Sequence, residues 1–106
     1  MNQELRVEVL RPGSELVLSG RLDVRTATAA RALLREMIDS GDGDILLHVR
    51  SLEIWDASGL GIFVGAQRRA RRAGRQIVLT GVPPRQLRLL RATRLHRLLT
   101  VEPAVA

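Results

Sequence analysis

Along residues 5–10 apolar and charged side chains alternate as Leu-Arg-Val-Glu-Val-Leu, the period of a strand with one face buried. Pro12-Gly13 interrupts the run, and Leu16-Val17-Leu18 predicts the return strand of a hairpin closed by Gly20. After Asp23 the period changes. Ala27, Ala30, Leu33, Leu34, Met37 and Ile38 recur at spacings of three and four, which predicts a helix with that stripe inward and Arg31, Arg35, Glu36 and Asp39 outward. Gly41 and Gly43 end it. Ile45–Val49 is an apolar run broken only by His48, as expected of a central strand covered on both faces with the histidine in the core. Ser51 to Asp56 reads as a connection. A second helix is predicted from Ser58 to Ala73, burying Leu60, Phe63, Val64 and Ala70, with Gly74 as its stop. Ile77-Val78-Leu79 predicts another buried strand, and Pro83-Pro84 opens a third helix with Leu87, Leu90, Leu95, Leu98 and Leu99 inward. Thr100-Val101 adds a short edge strand before a frayed tail.

The order β-β-α-β-α-β-α-(β) predicts an α/β fold, a mixed sheet of about four to five strands with helices packed against it. A chain of 106 residues fits one domain over residues 1–106, its core lying at about 5–101. That core is aliphatic, because Trp55 and Phe63 are the only aromatic residues. Without cysteine there is neither a disulfide nor a thiolate metal ligand. No apolar run approaches the roughly 20 residues of a membrane span, and Met1 to Val7 lack a signal-peptide layout, so a cytoplasmic protein without membrane contact is expected.

Charge divides the chain. Residues 1–56 carry seven Arg against ten acidic residues, whereas residues 57–101 carry ten Arg and no acid. Arg68, Arg69, Arg71, Arg72 and Arg75 crowd the end of the second helix, and Arg85, Arg88, Arg91, Arg94 and Arg97 recur every third residue. Such clusters neutralise phosphates in nucleic-acid binders, which makes an Arg-rich nucleic-acid-binding protein the rival from another class. Against it, Arg near a helix C-terminus is favourable for the dipole alone, its stem covers apolar surface, and stacking aromatics are missing. An acidic protein partner accounts for the patch as well.

The sharpest local feature is Asp56-Ala57-Ser58-Gly59-Leu60-Gly61 at the opening of the second helix. A serine at a helix start caps orphan N–H groups, and a phosphate on it would meet the same N–H groups and the positive dipole end. Gly59 and Gly61 leave room for a partner's backbone. The hexapeptide resembles the Asp-Ser-Ser/Thr-Gly-Leu-Gly loop of STAS-domain anti-sigma factor antagonists. Gly20-Arg21-Leu22-Asp23-Val24-Arg25-Thr26-Ala27 is similar to that family's Gly-Glu-Leu-Asp-x-x-Thr-Ala segment. The two motifs, in this order, extend a resemblance from about Leu5 to Val101.

The resemblance implies a single STAS domain that binds an anti-sigma factor with serine kinase activity and so releases a sigma factor. It implies phosphorylation at Ser58, which dissociates the complex, and resetting by a PP2C-type phosphatase. The partner-binding residues it implies are Asp23, Thr26, Trp55, Asp56, Ala57, Ser58, Gly59, Leu60 and Gly61. Asp56 would orient the Ser58 hydroxyl. Ala57, His48, Trp55 and Arg21 depart from the family's usual residues, and Trp55 reads as core filler or a partner contact. The same family includes regulatory modules of other complexes, such as stressosome or transporter subunits.

Catalysis is not expected. His48 and His96 are the only candidate bases for Ser58, and the Gly-x-Ser-x-Gly elbow is missing. Two distant histidines make no metal site, and no Gly-rich phosphate loop implies a cofactor. Strand edges and the Arg-rich helices are both candidate surfaces for self-association.

Overall fold

The computed structural model describes residues 4–53 and 57–104. Its first two strands, β1 (Arg6–Arg11) and β2 (Glu15–Arg21), form the expected antiparallel hairpin, with Val7 opposite Leu18 and Val9 opposite Leu16. Three further strands, β3 (Ile45–His48), β5 (Ile77–Val82) and β6 (Thr100–Pro103), continue the sheet in the order β1-β2-β3-β5-β6, each parallel to its neighbour from β2 onward. A two-residue strand, β4 (Leu52–Glu53), pairs with the end of β2 where a plain connection was expected. Gly20 does not close β2. The strand runs through it at φ 84°, and the backbone of Glu4 packs against its open face.

Parallel strands need crossovers, and three helices provide them. These are α1 (Ala27–Asp39), α2 (Ala57–Arg72) and α3 (Pro84–Ala92). Sheet residues Leu16, Leu18, Ile45, Leu47, Ile77 and Leu79 are buried with Leu34 and Ile38 of α1, Phe63 and Ala70 of α2, and Leu90 of α3. Ile62 of α2 is buried and Val64 only half-buried, so the inner stripe lies slightly around the helix from its expected position. Phe63 is fully buried, and its truncation to Ala would cost about 3–5 kcal/mol.

The helices cover one face only. Along β3 burial alternates, with Ile45, Leu47 and Val49 fully enclosed and Leu46 and His48 half-buried. The expectation of a strand covered on both faces is therefore corrected. Leu46 faces outward beside its register partner Val78, and His48 beside Thr80, on a face outside the main core. The helix layer also stops short of β1, leaving Val7 and Val9 39% and 53% exposed although they share the inner face with Leu18 and Leu16.

The third helix is shorter than its apolar spacing predicted. The Thr93 hydroxyl donates to the Leu89 carbonyl at 2.9 Å, Arg94 takes the left-handed conformation at φ 62°, and Leu95–Arg97 make one 3-10 turn. Leu90 and Leu99 are buried, Leu87 and Leu95 half-buried, and Leu98 is 41% exposed rather than inward.

Arg75 does not belong to the exposed basic cluster in which its position along the chain places it. Helix α2 ends in a Schellman motif, with Gly74 at φ 73° donating to the Arg71 carbonyl and Arg75 N–H donating to the Ala70 carbonyl at 2.8 Å. That turn sends the Arg75 side chain inward, where it is 4% exposed. Its guanidinium donates to the carbonyls of Met37 and Ile38 at the end of α1, of Asp42 and Gly43 beyond it, and of Gly13 in the hairpin turn. A positive group at a helix C-terminus opposes the negative dipole end, and a planar fork of donors suits several carbonyls at once. Arg75 is a staple between three segments.

Candidate functional site

Strands β2, β3 and β5 run parallel, so the turns that follow them gather at one edge of the sheet, the usual location of binding sites in such folds. At that edge β2 leads into α1 through residues 22–26. Leu22 plugs the core at 1% exposure, and the next four residues form a self-bonded turn. The Asp23 carboxylate accepts from the N–H groups of Arg25 at 2.8 Å and Thr26 at 3.3 Å. In return the Thr26 hydroxyl accepts from the Asp23 N–H at 3.0 Å and lies 3.1 Å from the Arg21 carbonyl. Each side chain satisfies the other's backbone, and both are half-buried. Arg21 lies 3.6 Å from the Asp23 carboxylate. A cleft of about 790 Å³ opens beside this turn, with Leu5, Val7 and Leu33 forming its apolar wall.

Strand β4 adjoins the same turn, the Leu22 N–H donating to the Glu53 carbonyl at 3.1 Å. The chain then enters α2, whose first described residue is Ala57. Trp55 and Asp56 lie outside the described residues. Since the helix begins at Ala57, Ser58 stands within the first turn rather than at the cap position, a shift of one residue from the expected start. It is half-buried, and its hydroxyl bonds to no other described residue. No acidic residue lies in this first turn. Gly59 is buried, and Leu60, at 6% exposure, belongs to the core. Gly61 is exposed, and a Cβ placed on it would meet nothing within 4 Å. Of the described residues in the hexapeptide, Ser58 and Gly61 therefore offer accessible surface.

The opposite face of the sheet carries a polar row not foreseen from the sequence. His48 Nε2 lies 2.6 Å from the Glu15 carboxylate, and its Nδ1 bonds the Thr80 hydroxyl. His48 is thus not a core residue. With both ring nitrogens engaged on the outer face, it is not positioned as a base for Ser58. His96 is exposed, as expected. Among the described residues no group of three or more His, Cys, Asp or Glu is arranged to hold a metal ion, and no helix is long and apolar enough to cross a membrane.

A mixed sheet with helices on one face has the architecture of a STAS-type fold. A family model described as Mlab, STAS domain matches residues 7–100, and the chain belongs to that family. The chain is 31% identical over 87 residues to an anti-sigma-B factor antagonist of Staphylococcus aureus, an alignment covering 82% of this chain and 81% of that one. In three dimensions it is similar to the anti-sigma factor antagonist SpoIIAA in its unphosphorylated form, with a TM-score of 0.71 at 20% identity over 92% of this chain and 86% of the other. The phosphorylated form of the Bacillus cell fate determinant SpoIIAA superposes with a TM-score of 0.67 at 19% identity, covering 92% and 89% of the two chains.

Proposed function

We propose that this protein is an anti-sigma factor antagonist that binds an anti-sigma factor with serine kinase activity in the cytoplasm and is switched off by phosphorylation of Ser58. The observation that carries the reading is the placement of Ser58, half-buried in the first turn of α2 with its hydroxyl unbonded among the described residues. Membership of the STAS family and the antagonist relatives supply the partner class. A partner covering Ser58 would also reach the Asp23–Thr26 turn and Gly61. Phosphorylation adds about two negative charges and three acceptor oxygens at that surface. The positive dipole end of α2 favours the modified state, while the facing surface must desolvate or repel the new charge. A phosphatase of the PP2C type resets the switch. The protein itself is the substrate and performs no chemistry.

The test is a pull-down with wild type and Ser58→Asp in parallel, followed by incubation of the recovered complex with ATP. Wild type is expected to retain an ATP-binding anti-sigma factor and to gain one phosphate at Ser58 by mass spectrometry, and Ser58→Asp is expected to lose the partner. Equal retention by both proteins, or phosphate found only elsewhere, would overturn the switch. The Mlab description of the matching model favours a second reading, a STAS module regulating another complex. Recovery of transporter subunits regardless of residue 58 would establish that reading instead.

A further inference from the structure

Helices α1 and α2 lie side by side, and the valley between their outer ridges begins one turn beyond Ser58. Arg31 and Arg35 of α1 flank one side, Arg69 and Arg72 of α2 the other, and Gly61 and Gly65 floor it, around a volume of about 190 Å³. No acidic residue lines the valley. Cβ atoms on Gly61 and Gly65 would meet nothing within 4 Å, so the floor is bare backbone open to an incoming chain. Only Arg69 is paired, to Asp39 at 2.7 Å, while Arg31, Arg35 and Arg72 have no carboxylate partner among the described residues.

We infer that this valley is the docking groove for an acidic segment of the partner protein, whose Glu and Asp side chains pair with Arg31, Arg35 and Arg72 above the glycine floor. Guanidinium groups bind carboxylates through paired, charge-assisted hydrogen bonds, and arginines held on two helices offer them from both sides. From Gly61 to Arg72 the groove runs about 16 Å at 1.5 Å per residue, enough for about ten residues of a partner helix. Neighbouring helix axes lie only about 8–10 Å apart, so the valley admits one segment of side chains and not a nucleic-acid duplex. A single strand finds no aromatic ring to stack on here. Arg75, which would have lengthened the basic track, is buried in its carbonyl staple. The inference deepens the function proposed above and rests on it only for the identity of the partner.

The experiment titrates the 15N-labelled full chain with a synthetic Glu-rich helical peptide of about 14 residues, a length that covers the groove. The Gly61 and Gly65 amides are expected to shift, and affinity to fall at least about threefold as salt rises from about 50 to 150 mM. Arg35→Ala with Arg72→Ala is expected to weaken binding about tenfold or more. Gly65→Leu, which fills the floor without changing charge, is expected to do the same. Arg68→Ala with Arg71→Ala removes equal charge outside the groove and is expected to retain wild-type affinity within about twofold. Equal losses from both Arg pairs, no shift at the two glycines, or displacement of the peptide by an equimolar DNA oligonucleotide would each overturn the groove. Far-UV circular dichroism checks the fold, and the comparison of the two Arg pairs stands even where Gly65→Leu fails to fold. Loss of the natural partner by Ser58→Asp but not by the Arg35 and Arg72 changes leaves the switch standing and removes the groove. The reverse result removes the switch and keeps the groove.

Discussion

Replacing Arg75 by Met removes five side-chain hydrogen bonds from the interior at once. The guanidinium is 4% exposed and reaches five carbonyl oxygens, and it pairs with no carboxylate among the described residues. Five bonds from a charged donor at about 1.5–3 kcal/mol each would approach the whole stability of a domain, about 5–15 kcal/mol, so they do not add. The carbonyls of Asp42 and Gly43 belong to exposed residues and regain water when the side chain is removed. The Met37 carbonyl keeps the Ser40 N–H and hydroxyl as donors, whereas those of Ile38, buried at the end of α1, and Gly13, half-buried in the hairpin turn, lose theirs at about 1–3 kcal/mol each. Methionine returns some burial of its own, which leaves an expected loss of about 3 kcal/mol. In a urea titration that is a midpoint lower by about 2 M at an m-value of about 1.5 kcal/mol/M. Thermal melting should fall by more than about 12 °C. Arg75→Lys keeps the charge but has three donors on a point charge, and its loss should be about half as large. Arg68→Met, on the exposed side of the same helix, should stay within about 0.5 kcal/mol of wild type. A loss below about 1 kcal/mol for Arg75→Met, or a Lys variant as stable as wild type, refutes the staple.

Two further outcomes follow from local geometry. Gly20→Ala places a Cβ on a residue at φ 84° and drives it into the Glu4 carbonyl oxygen, so the hairpin end must shift; the expected cost is about 2 kcal/mol or more, read as a lower urea midpoint. The Asp39 carboxyl is held below its ordinary value of 3.8, chiefly by the Arg69 hydrogen bond, with the nearby Arg69 and Arg35 charges assisting and desolvation opposing. A depressed folded-state pKa contributes stability above the unfolded value and loses it as pH falls through the folded one. The difference in melting temperature between wild type and Asp39→Asn is therefore expected at neutral pH, should shrink as pH falls below 3.8 and be gone once it has passed the lower folded-state value; a difference that persists in strong acid rules out the ion pair as its source.

Periodic signals located the hairpin, α1 and α2, which are long enough for their period to show, and continuous apolar runs located β3 and β5. Where the reading missed, the deciding interaction was not periodic. The two residues of β4 have no period, and they form a strand only because β2 lies beside them. The apolar run in β3 concealed an alternation, yet His48 marked the outer face, since a polar residue two positions from Leu46 shares its side of the sheet. Helix α3 ended early at a left-handed Arg94 that no propensity announces. Ser58 shows the complementary limit. Its residue chemistry alone read as a helix cap, and only the neighbouring motif and the resemblance singled it out. The basic half of the chain illustrates why composition was the weakest guide. Ten arginines read together as one positive surface, but the fold separates them. Arg75 is consumed internally and Arg69 is tied to Asp39. Arg72 converges instead with Arg31 and Arg35, which come from the half of the chain that is acidic overall. Net charge is a sum over the chain, whereas recognition depends on which charges the packing leaves facing one another. Here that is decided by the pairing of α1 with α2, two helices that neither charge count nor helical period places side by side.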